Sequence, residues 1–355
     1  MKILLNNEIN RKEWRELVQI SATGTWFQTP ETYNFFASQP ELFRPFVIGL
    51  ENDDVLKGVC SGYVTVEKNP LTQFLTRRAI IIGGPCLADD ATDEEVETLM
   101  RAVRTSMADN SSLLLGKVRV GFHSPIYIET RNFNDYSRWK DAFEKAGFSY
   151  QPHLNFHVDC TDKETMWRRL SENRKKQIRK VTATWSHHDA AMQPNEPQAS
   201  LLNDENDVRE WYAILQQLYL TKVKTPLWPV EFFIEAYRQG VGKFLLVKHD
   251  GKVIGGSMIV QDEKSVYEWF ECGLNSEYKE QYPSVMATWK GMCYANEHGC
   301  ARYDMMGAGE PNVPYGVRDF KAEFGGQQVE FGRFLWIRMP LLYKIGTIGV
   351  RILKR

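Results

Sequence analysis

The chain has 355 residues, which predicts two domains, and 43% of them are hydrophobic, 12% aromatic and 25% charged, as is typical of globular proteins. The formal net charge of −1 excludes a positive field over the whole molecule for binding nucleic acid, although a local basic region stays open. Residues 1–8 lack a long apolar core, so no signal peptide is expected, and no apolar run is long enough to span a bilayer. Six cysteines without a CxxC pair or metal-ligand spacing predict reduced thiols, no metal site and a cytoplasmic location.

Strand and helix signals alternate through the first half of the chain. Thr92 followed by Glu95 has the spacing of a capping box, and it predicts a helix that runs to about Ala108. Gly147 predicts the end of a second amphipathic helix. Predicted strands cover 46–50, 55–66, 79–82, 113–115 and 118–120, and predicted helices cover 11–20, 92–108 and 136–146.

The second half has the same kind of order. Residues 186–207 are rich in His, Asn, Gln, Asp and Pro, which predicts an exposed loop between two helices. Predicted strands cover 156–158, 244–247, 253–260, 265–270 and 301–304, and predicted helices cover 163–184, 208–223, 230–239 and 282–298.

Two hairpins about 200 residues apart are similar. Residues 46–50 and 54–58 form a strand, an acidic turn and a second strand that opens near a small residue, and residues 244–247 and 251–256 repeat that pattern. The repeat predicts an α/β (α+β) chain with two domains of one fold, each a mixed twisted sheet flanked by helices.

Residues 319–326 place Lys321 between Phe320 and Phe324, ahead of a Gly pair. A cation held by aromatic rings near irregular backbone can stabilise an oxyanion or a phosphate. The alternative is a solvated lysine on an ordinary turn.

Residues 168–180 contain seven basic side chains and one acidic one, Glu172. Helical spacing places Arg168, Lys175 and Arg179 on one stripe. This stripe is either a site for phosphate or RNA backbone or a solvated helix face.

The ordered set of these and other short motifs resembles the FemABX family of aminoacyl-tRNA-dependent peptidyltransferases. That family is built from tandem acetyltransferase-like (GNAT) domains, and the resemblance implies domains at 1–153 plus 334–355 and at 154–333. The motifs are Trp26 to Glu31, Gly83 to Pro85, the basic helix, Asp250 to Gly256, Tyr282-Pro283, Gly299-Cys300, Tyr303-Asp304, Phe320-Lys321 and Phe324 to Gly326.

The resemblance implies that Lys321 stabilises the oxyanion or the leaving group while an amine directly attacks an aminoacyl ester, and that Phe320 shapes the site. It implies aminoacyl-tRNA as donor, an amine of a cell-wall precursor or related glycan or peptide as acceptor, and no cofactor. The acceptor is expected in the cleft between the domains. The further candidate substrate-binding residues are Arg174, Lys175, Arg179, Trp228, Phe232, Glu271, Tyr303 and Asp304.

Several positions depart from the family pattern. Trp228 and Phe232 stand where members that act on a UDP-linked precursor hold phosphates with Arg and Tyr, and neither can bind phosphate by charge. They either stack on a sugar ring or belong to the core. Glu271 places a carboxylate where those members have a phenol. The general base stays open among Asp304, Glu310 and Asp319.

Two alternatives to aminoacyl transfer stay open. One is N-acylation of an amino sugar in polysaccharide synthesis from acetyl or another acyl donor, although residues 278–285 lack the glycines of a CoA pyrophosphate loop and Pro283 lacks an N–H. The other is a tandem-GNAT protein that binds without turnover.

The C-terminal tail, residues 340–355, has basic residues on one helical face and apolar residues on the other. It either lies peripherally on the anionic inner face of a membrane or packs back on the first domain.

Overall fold

The computed structural model describes residues 1–67, 73, 77–115, 118–123, 125–131, 136–188, 204–338, 340, 343 and 344. The chain divides into two compact units, unit 1 with Met1–His153 and Phe331–Arg355, and unit 2 with Leu154–Glu330. Unit 1 is therefore discontinuous in sequence, because its last strand follows unit 2.

Unit 1 contains a mixed sheet with the strand order β1-β2-β3-β4-β8-β16-β9, and β5 pairs with β3. A separate hairpin, β6-β7, covers the predicted strands near 113–120. The strands are β1 Lys2–Leu5, β2 Phe43–Asn52, β3 Val55–Thr65, β4 Ala79–Gly83, β5 Cys86–Leu87, β6 Ala108–Leu115, β7 Val118–His123, β8 Ile126–Thr130, β9 Ser149–Gln151 and β16 Arg333–Trp336.

The helices of unit 1 pack apolar faces against this sheet. Thr92 accepts a hydrogen bond from the Glu95 N–H and Glu95 accepts one in return, so the predicted capping box is confirmed. Trp14, with no exposed surface, anchors the first helix in a core cluster with residues of β2 and β3. The helices are α1 Arg11–Ile20, α2 Pro30–Ala37, α3 Asp93–Ser106 and α4 Tyr136–Lys145.

Unit 2 contains a six-stranded mixed sheet with the order β11-β12-β13-β14-β10-β15. The strands are β10 Leu154–Asp159, β11 Lys243–His249, β12 Lys252–Gln261, β13 Ser265–Gly273, β14 Arg302–Gly307 and β15 Gln327–Glu330. The helices are α5 Lys163–Arg169, α6 Glu172–His188, α7 Glu205–Leu218 followed by a π-helical turn Tyr219–Val223, α8 Val230–Arg238, α9 Pro283–Glu297 and α10 Gly316–Ala322.

Both predicted hairpins are present, β2-β3 in unit 1 and β11-β12 in unit 2. Their two-residue turns have positive φ angles, 50° and 60° at Asp53 and Asp54, and 48° and 76° at Asp250 and Gly251. This backbone matches the twist of two antiparallel strands, and Asp and Gly tolerate it. In each pair the register also shifts close to the turn, which gives the two hairpins the same local shape.

The prediction of a single helix over 163–184 was wrong, because this segment forms two helices, α5 and α6. Leu170 leaves the helical conformation, and Ser171 begins α6 by accepting the N–H of Arg174 with its side chain at 3.2 Å. The Ser171 N–H in turn donates to the Glu323 carbonyl at 2.9 Å. The break therefore places the basic residues of α5 and α6 on separate helices.

Most of the predicted loop at 186–207 and nearly all of the C-terminal tail at 340–355 lie outside the described residues. In the part of the chain that is described, no helix is both long enough and apolar enough to cross a membrane.

Candidate functional site

The central feature of unit 2 is a gap between two parallel strands. β13 and β14 pair over three positions, Ser265 with Arg302, Val266 with Tyr303 and Tyr267 with Asp304. Beyond them β13 continues against β12 alone, and β14 continues against β10 alone. The two strands therefore part, and the backbone edge of β14 that would pair with β13 needs other partners.

Lys321 supplies such a partner. Its Nζ donates to the carbonyl of Gly307 at 2.7 Å and to the carbonyl of Met305. Carbonyls two residues apart in a strand point toward the same edge, so a single ammonium group reaches both. Lys321 is only 8% exposed and lies in the last turn of α10. The cation is thus held in one position by backbone.

The aromatic rings beside this lysine are held by a buried arginine. The Arg174 guanidinium lies 4.5 Å from the ring centroid of Phe320 and 5.1 Å from that of Phe324, and its Nε lies 3.4 Å from Glu323 Oε2. Burial lowers the pKa of Arg174, and the charge of Glu323 opposes that shift. Arg174 therefore packs α6 against α10.

Glu268 is a buried carboxylate on β13 beside the gap. Its Oε1 accepts hydrogen bonds from the hydroxyls of Tyr303 at 2.8 Å, Thr288 at 2.9 Å and Ser257 at 3.3 Å. Burial raises the pKa of Glu268, whereas the charge of Lys321 and these three hydroxyls lower it. The carboxylate is bonded from three sides by groups that favour its anionic form.

The bond from Tyr303 depends on a glycine inside α9. A Cβ at Gly291 would lie 2.2 Å from the Tyr303 hydroxyl and 2.6 Å from its ring. Glycine in a helix interior costs about 1 kcal/mol relative to alanine. Here it leaves the space in which the phenol reaches Glu268.

A β-bulge brings a second carboxylate to the same face. Met258 pairs with Phe270 and Ile259 pairs with Glu268, so Trp269 is an extra residue on β13. Residues three apart normally face opposite sides of a sheet, but one inserted residue places Glu268 and Glu271 on the same side.

Helix α9 supplies a hydroxyl to each of these carboxylates. The Thr288 hydroxyl donates to Glu268 at 2.9 Å, and Ser284, one helical turn earlier, lowers the pKa of Glu271.

The start of α9 is closed by protein groups. Tyr282 precedes it with φ 45°, Pro283 has no N–H, and the Ser284 N–H donates to Asn275 Oδ1 at 3.2 Å. The Asn275 amide also donates to the Ser284 hydroxyl at 2.7 Å. The backbone donors that would bind a pyrophosphate at a helix start are therefore absent or occupied at these two positions.

The other predicted site residues have different positions. Lys175 pairs with Glu172 at 2.7 Å. Arg179 is exposed, and its guanidinium lies 5.2 Å from the Trp167 ring centroid. The Lys175 side chain is only 13% exposed, so of these two cations Arg179 is the one at the surface.

Trp228 and Phe232 pack together with ring centroids 6.0 Å apart. Phe232 has no exposed surface and also contacts Trp269, Phe233 and Phe270, so its ring belongs to the core. Trp228 is partly exposed.

Tyr303 and Asp304 are both fully buried. Asp304 accepts the Met306 N–H at 2.6 Å, and its Oδ2 lies 3.4 Å from His157 Nε2. The other two candidates for a general base, Glu310 and Asp319, are exposed. Buried groups of this kind support the site from within the sheet.

Sequence reasoning missed Glu268 and two of its three hydroxyl partners, Ser257 and Thr288. The signal that could have found it is a pair of carboxylates, Glu268 and Glu271, inside an otherwise apolar and aromatic strand. Its partners come from other elements, Ser257 on β12 and Thr288 on α9, and no local pattern connects them. Among the residues that the structure describes, no cluster of His, Cys, Asp and Glu could hold a metal ion.

Residues 175–321 match the family described as Acetyltransferase (GNAT) domain. This region begins in α6, ends at Lys321 and includes the gap between β13 and β14. No curated protein matches the chain.

Solved structures share the arrangement over nearly the full length. FemX aligns with a TM-score of 0.65 and 12% identity, covering 97% of this chain and 99% of that one. A tandem GNAT protein from the clavulanic acid biosynthesis pathway aligns with a TM-score of 0.50 and 9% identity, covering 94% and 98%. The C-terminal domain of a putative lysylphosphatidylglycerol synthetase from Agrobacterium fabrum aligns with a TM-score of 0.50 and 10% identity, covering 96% and 97%.

The chain has the tandem GNAT fold of acyltransferases, and its second unit carries the sequence match to the GNAT domain. Its architecture is like that of FemX, so the resemblance to FemABX proteins is confirmed at the level of the fold.

Proposed function

We propose that this protein transfers an aminoacyl group from aminoacyl-tRNA to an amine of a cell-wall precursor or a related glycan or peptide. The nitrogen attacks the ester carbonyl directly, and the reaction takes place at Lys321 in unit 2. The observation that carries the proposal is the fixed position of the Lys321 ammonium group where β13 and β14 part.

Lys321 has the properties of an electrostatic catalyst. An ammonium group has three N–H donors. The carbonyls of Met305 and Gly307 fix the position of this group before a substrate arrives. The fixed cation stabilises the oxyanion of the tetrahedral intermediate. Such preorganised donors are typically worth about 10²- to 10³-fold in rate.

The start of α9 favours an ester donor over a CoA thioester. CoA-dependent enzymes of this superfamily bind the pyrophosphate with backbone N–H groups at a helix start. Pro283 removes one of these donors and Asn275 occupies the next, on Ser284. An aminoacyl-tRNA donor needs no pyrophosphate site at this place, and the exposed cation of Arg179 on α6 is available to an RNA backbone.

An N-acyltransferase that uses acetyl-CoA or another acyl donor on an amino sugar is the second candidate. It is favoured by the match of residues 175–321 to the acetyltransferase family.

Donor competition separates the two candidates. The purified protein is incubated with a cell extract's small molecules and lipid-linked sugars, with label supplied either in total aminoacyl-tRNA or in acetyl-CoA. We expect label to move from aminoacyl-tRNA only. Transfer from acetyl-CoA only would replace the first candidate by the second, and transfer from neither would leave a binding protein.

A further inference from the structure

Glu271 has a carboxyl oxygen that the protein leaves unsatisfied. Its Oε1 is buried and has no hydrogen-bond partner among the described residues. A buried acceptor without a partner costs about 1–3 kcal/mol, so a group of this kind in a functional site points to a use that offsets the cost.

We propose that Glu271 is the proton acceptor of the transfer reaction. The inference rests on the proposed acyl transfer at Lys321. The acceptor nitrogen forms a bond to the donor's carbonyl carbon and becomes cationic, and its proton passes to the Glu271 carboxylate. The bond from that carbon to the leaving oxygen then breaks, and the proton passes from Glu271 to this oxygen. The products are an amide and an alcohol, and Glu271 is regenerated.

The two carboxylates on this face of β13 differ in what surrounds them. Glu268 receives three hydroxyl groups on one oxygen, which leaves its charge well compensated. Glu271 has no such set of donors among the described residues; Ser284, which lowers its pKa, is itself held by Asn275. The bulge at Trp269 places both carboxylates on one face. Glu268 thus has three donors that favour its anionic form, whereas Glu271 has an unsatisfied oxygen that can take a proton.

The ionisation of Glu271 agrees with this division. Burial raises its pKa to about 8, the charge of Glu268 adds to the shift, and the Ser284 bond and Lys321 oppose it. The titratable groups that interact with its charge are Glu268 and Cys272 on β13, Tyr303 on β14 and Lys321 on α10. A carboxyl group that titrates near the working pH is an effective base toward an amine.

The test compares Glu271→Gln with wild type over a range of pH, using the full chain and whichever of total aminoacyl-tRNA or acetyl-CoA supports transfer. Glycinamide serves as the first acceptor probe, and each rate is divided by the fraction of its amine that is unprotonated, because an α-amino group itself titrates near about pH 8. We expect the wild-type rate to rise with an apparent pKa of about 8. In Glu271→Gln the rate falls by about 10²- to 10³-fold and the rise disappears.

Hydroxylamine is the second acceptor probe, because it is largely unprotonated at neutral pH and needs no base. With it, Glu271→Gln should return to within about threefold of wild type, which also shows that the variant is folded. Glu277→Gln, an exposed carboxylate on the same unit, is the matched control and should behave as wild type with both probes.

A direct titration measures the ionisation of the Glu271 carboxyl group in the absence of turnover. In protein labelled with ¹³C at glutamate carboxyls, one resonance should titrate near pH 8, disappear in Glu271→Gln and move to lower pH in Glu268→Gln. If Glu271→Gln transfers to glycinamide at the wild-type rate, or if its pH rise persists, Glu271 is not the base, and acyl transfer still stands. If wild type transfers from neither donor, the proposed function falls and the role of Glu271 falls with it.

Discussion

The two sheets differ at their central parallel strands. In unit 1, β4 and β8 pair at every position from Ala79 with Ile126 to Gly83 with Thr130, five pairs in all. In unit 2, β13 and β14 pair at three positions and then part. The hairpin that precedes each parallel pair is the same in both units, so the difference arises after the hairpin.

Different groups satisfy the backbone at the ends of these strands. In unit 1 the Gln28 amide donates to the carbonyls of Gly83 at 3.1 Å and Gly84 at 2.9 Å, and so holds the turn that follows β4. In unit 2 Lys321 satisfies carbonyls of β14, the second strand of the parallel pair. A neutral amide closes one sheet, whereas a cation and two carboxylates line the opening in the other.

A repeated topology in this chain therefore does not imply a repeated site. Two motifs that are far apart in sequence, around Gln28 and at Gly83-Gly84, meet in unit 1 to complete a structural turn. Two carboxyl groups whose pKa values are raised by burial, Glu268 and Glu271, lie on one face of β13 in unit 2. The two groups of motifs are thus expected to respond to mutation in different ways.

The largest expected effect is on the rate of transfer, from a mutation where β13 and β14 part in unit 2. Lys321→Met should lower the rate of transfer by about 10²- to 10³-fold, because the oxyanion loses its fixed donor. Circular dichroism should show that the variant is folded. Lys252→Met removes an exposed lysine from the same unit and is expected to keep full activity. Unchanged turnover in Lys321→Met would remove unit 2 as the reacting unit.

A mutation at the end of the parallel pair in unit 1 should lower the stability of the protein and leave its activity unchanged. Gln28→Ala leaves two carbonyls without their donor in a buried place and is expected to lower the free energy of unfolding by about 2–3 kcal/mol. Urea unfolding measures this, and the transfer rate of the folded fraction should not change. Gln19→Ala, on the surface of α1, is the control. A loss of rate without a loss of stability would mean that unit 1 takes part in the chemistry.

The pH dependence of stability should identify the buried acid. The folded pKa of Glu271, about 8, lies above the unfolded value of 4.5, so its contribution is full below pH 4.5 and is lost as pH rises through 8. Glutamine does not ionise, so the stability of the Glu271→Gln variant has no such loss as pH rises. The two pKa values lie about 3.5 pH units apart, and each unit corresponds to about 1.4 kcal/mol, so the variant should gain on the order of 4 kcal/mol relative to wild type between about pH 5 and about pH 9. Urea unfolding at both pH values is the measurement, and a constant difference would contradict the raised pKa.

The smallest expected effect concerns the support of Glu268. Tyr303→Phe removes one of three hydroxyl donors, which is worth about 1 kcal/mol and favours the protonated form of Glu268. With less negative charge beside it, Glu271 should titrate lower by less than about one pH unit. Tyr267→Phe removes another buried phenol, one that donates to Asp262, and should leave this titration in place. Equal shifts in both variants would mean that the effect is not specific to Glu268.

Much of the scaffold was predictable because its signals are local. The capping box of Thr92 and Glu95 and the turns at Asp53-Asp54 and Asp250-Gly251 depend on residues within a few positions of one another. The helix over 163–184 failed for the opposite reason. The break falls at Leu170, and the N–H of the next residue, Ser171, donates to the carbonyl of Glu323, 152 residues away in the chain.

The sequence by itself determined the two-domain α/β class, the repeated hairpin and the choice of Lys321, since each follows from a short run of residues. The tertiary structure alone decided the site around that lysine. It parts β13 from β14, buries Arg174 under the Phe-Lys pair, and through one inserted residue at Trp269 turns Glu271 to the same face as Glu268. The physical reason is that strand pairing, burial and the resulting pKa values depend on contacts between distant segments, which no local pattern in the chain contains.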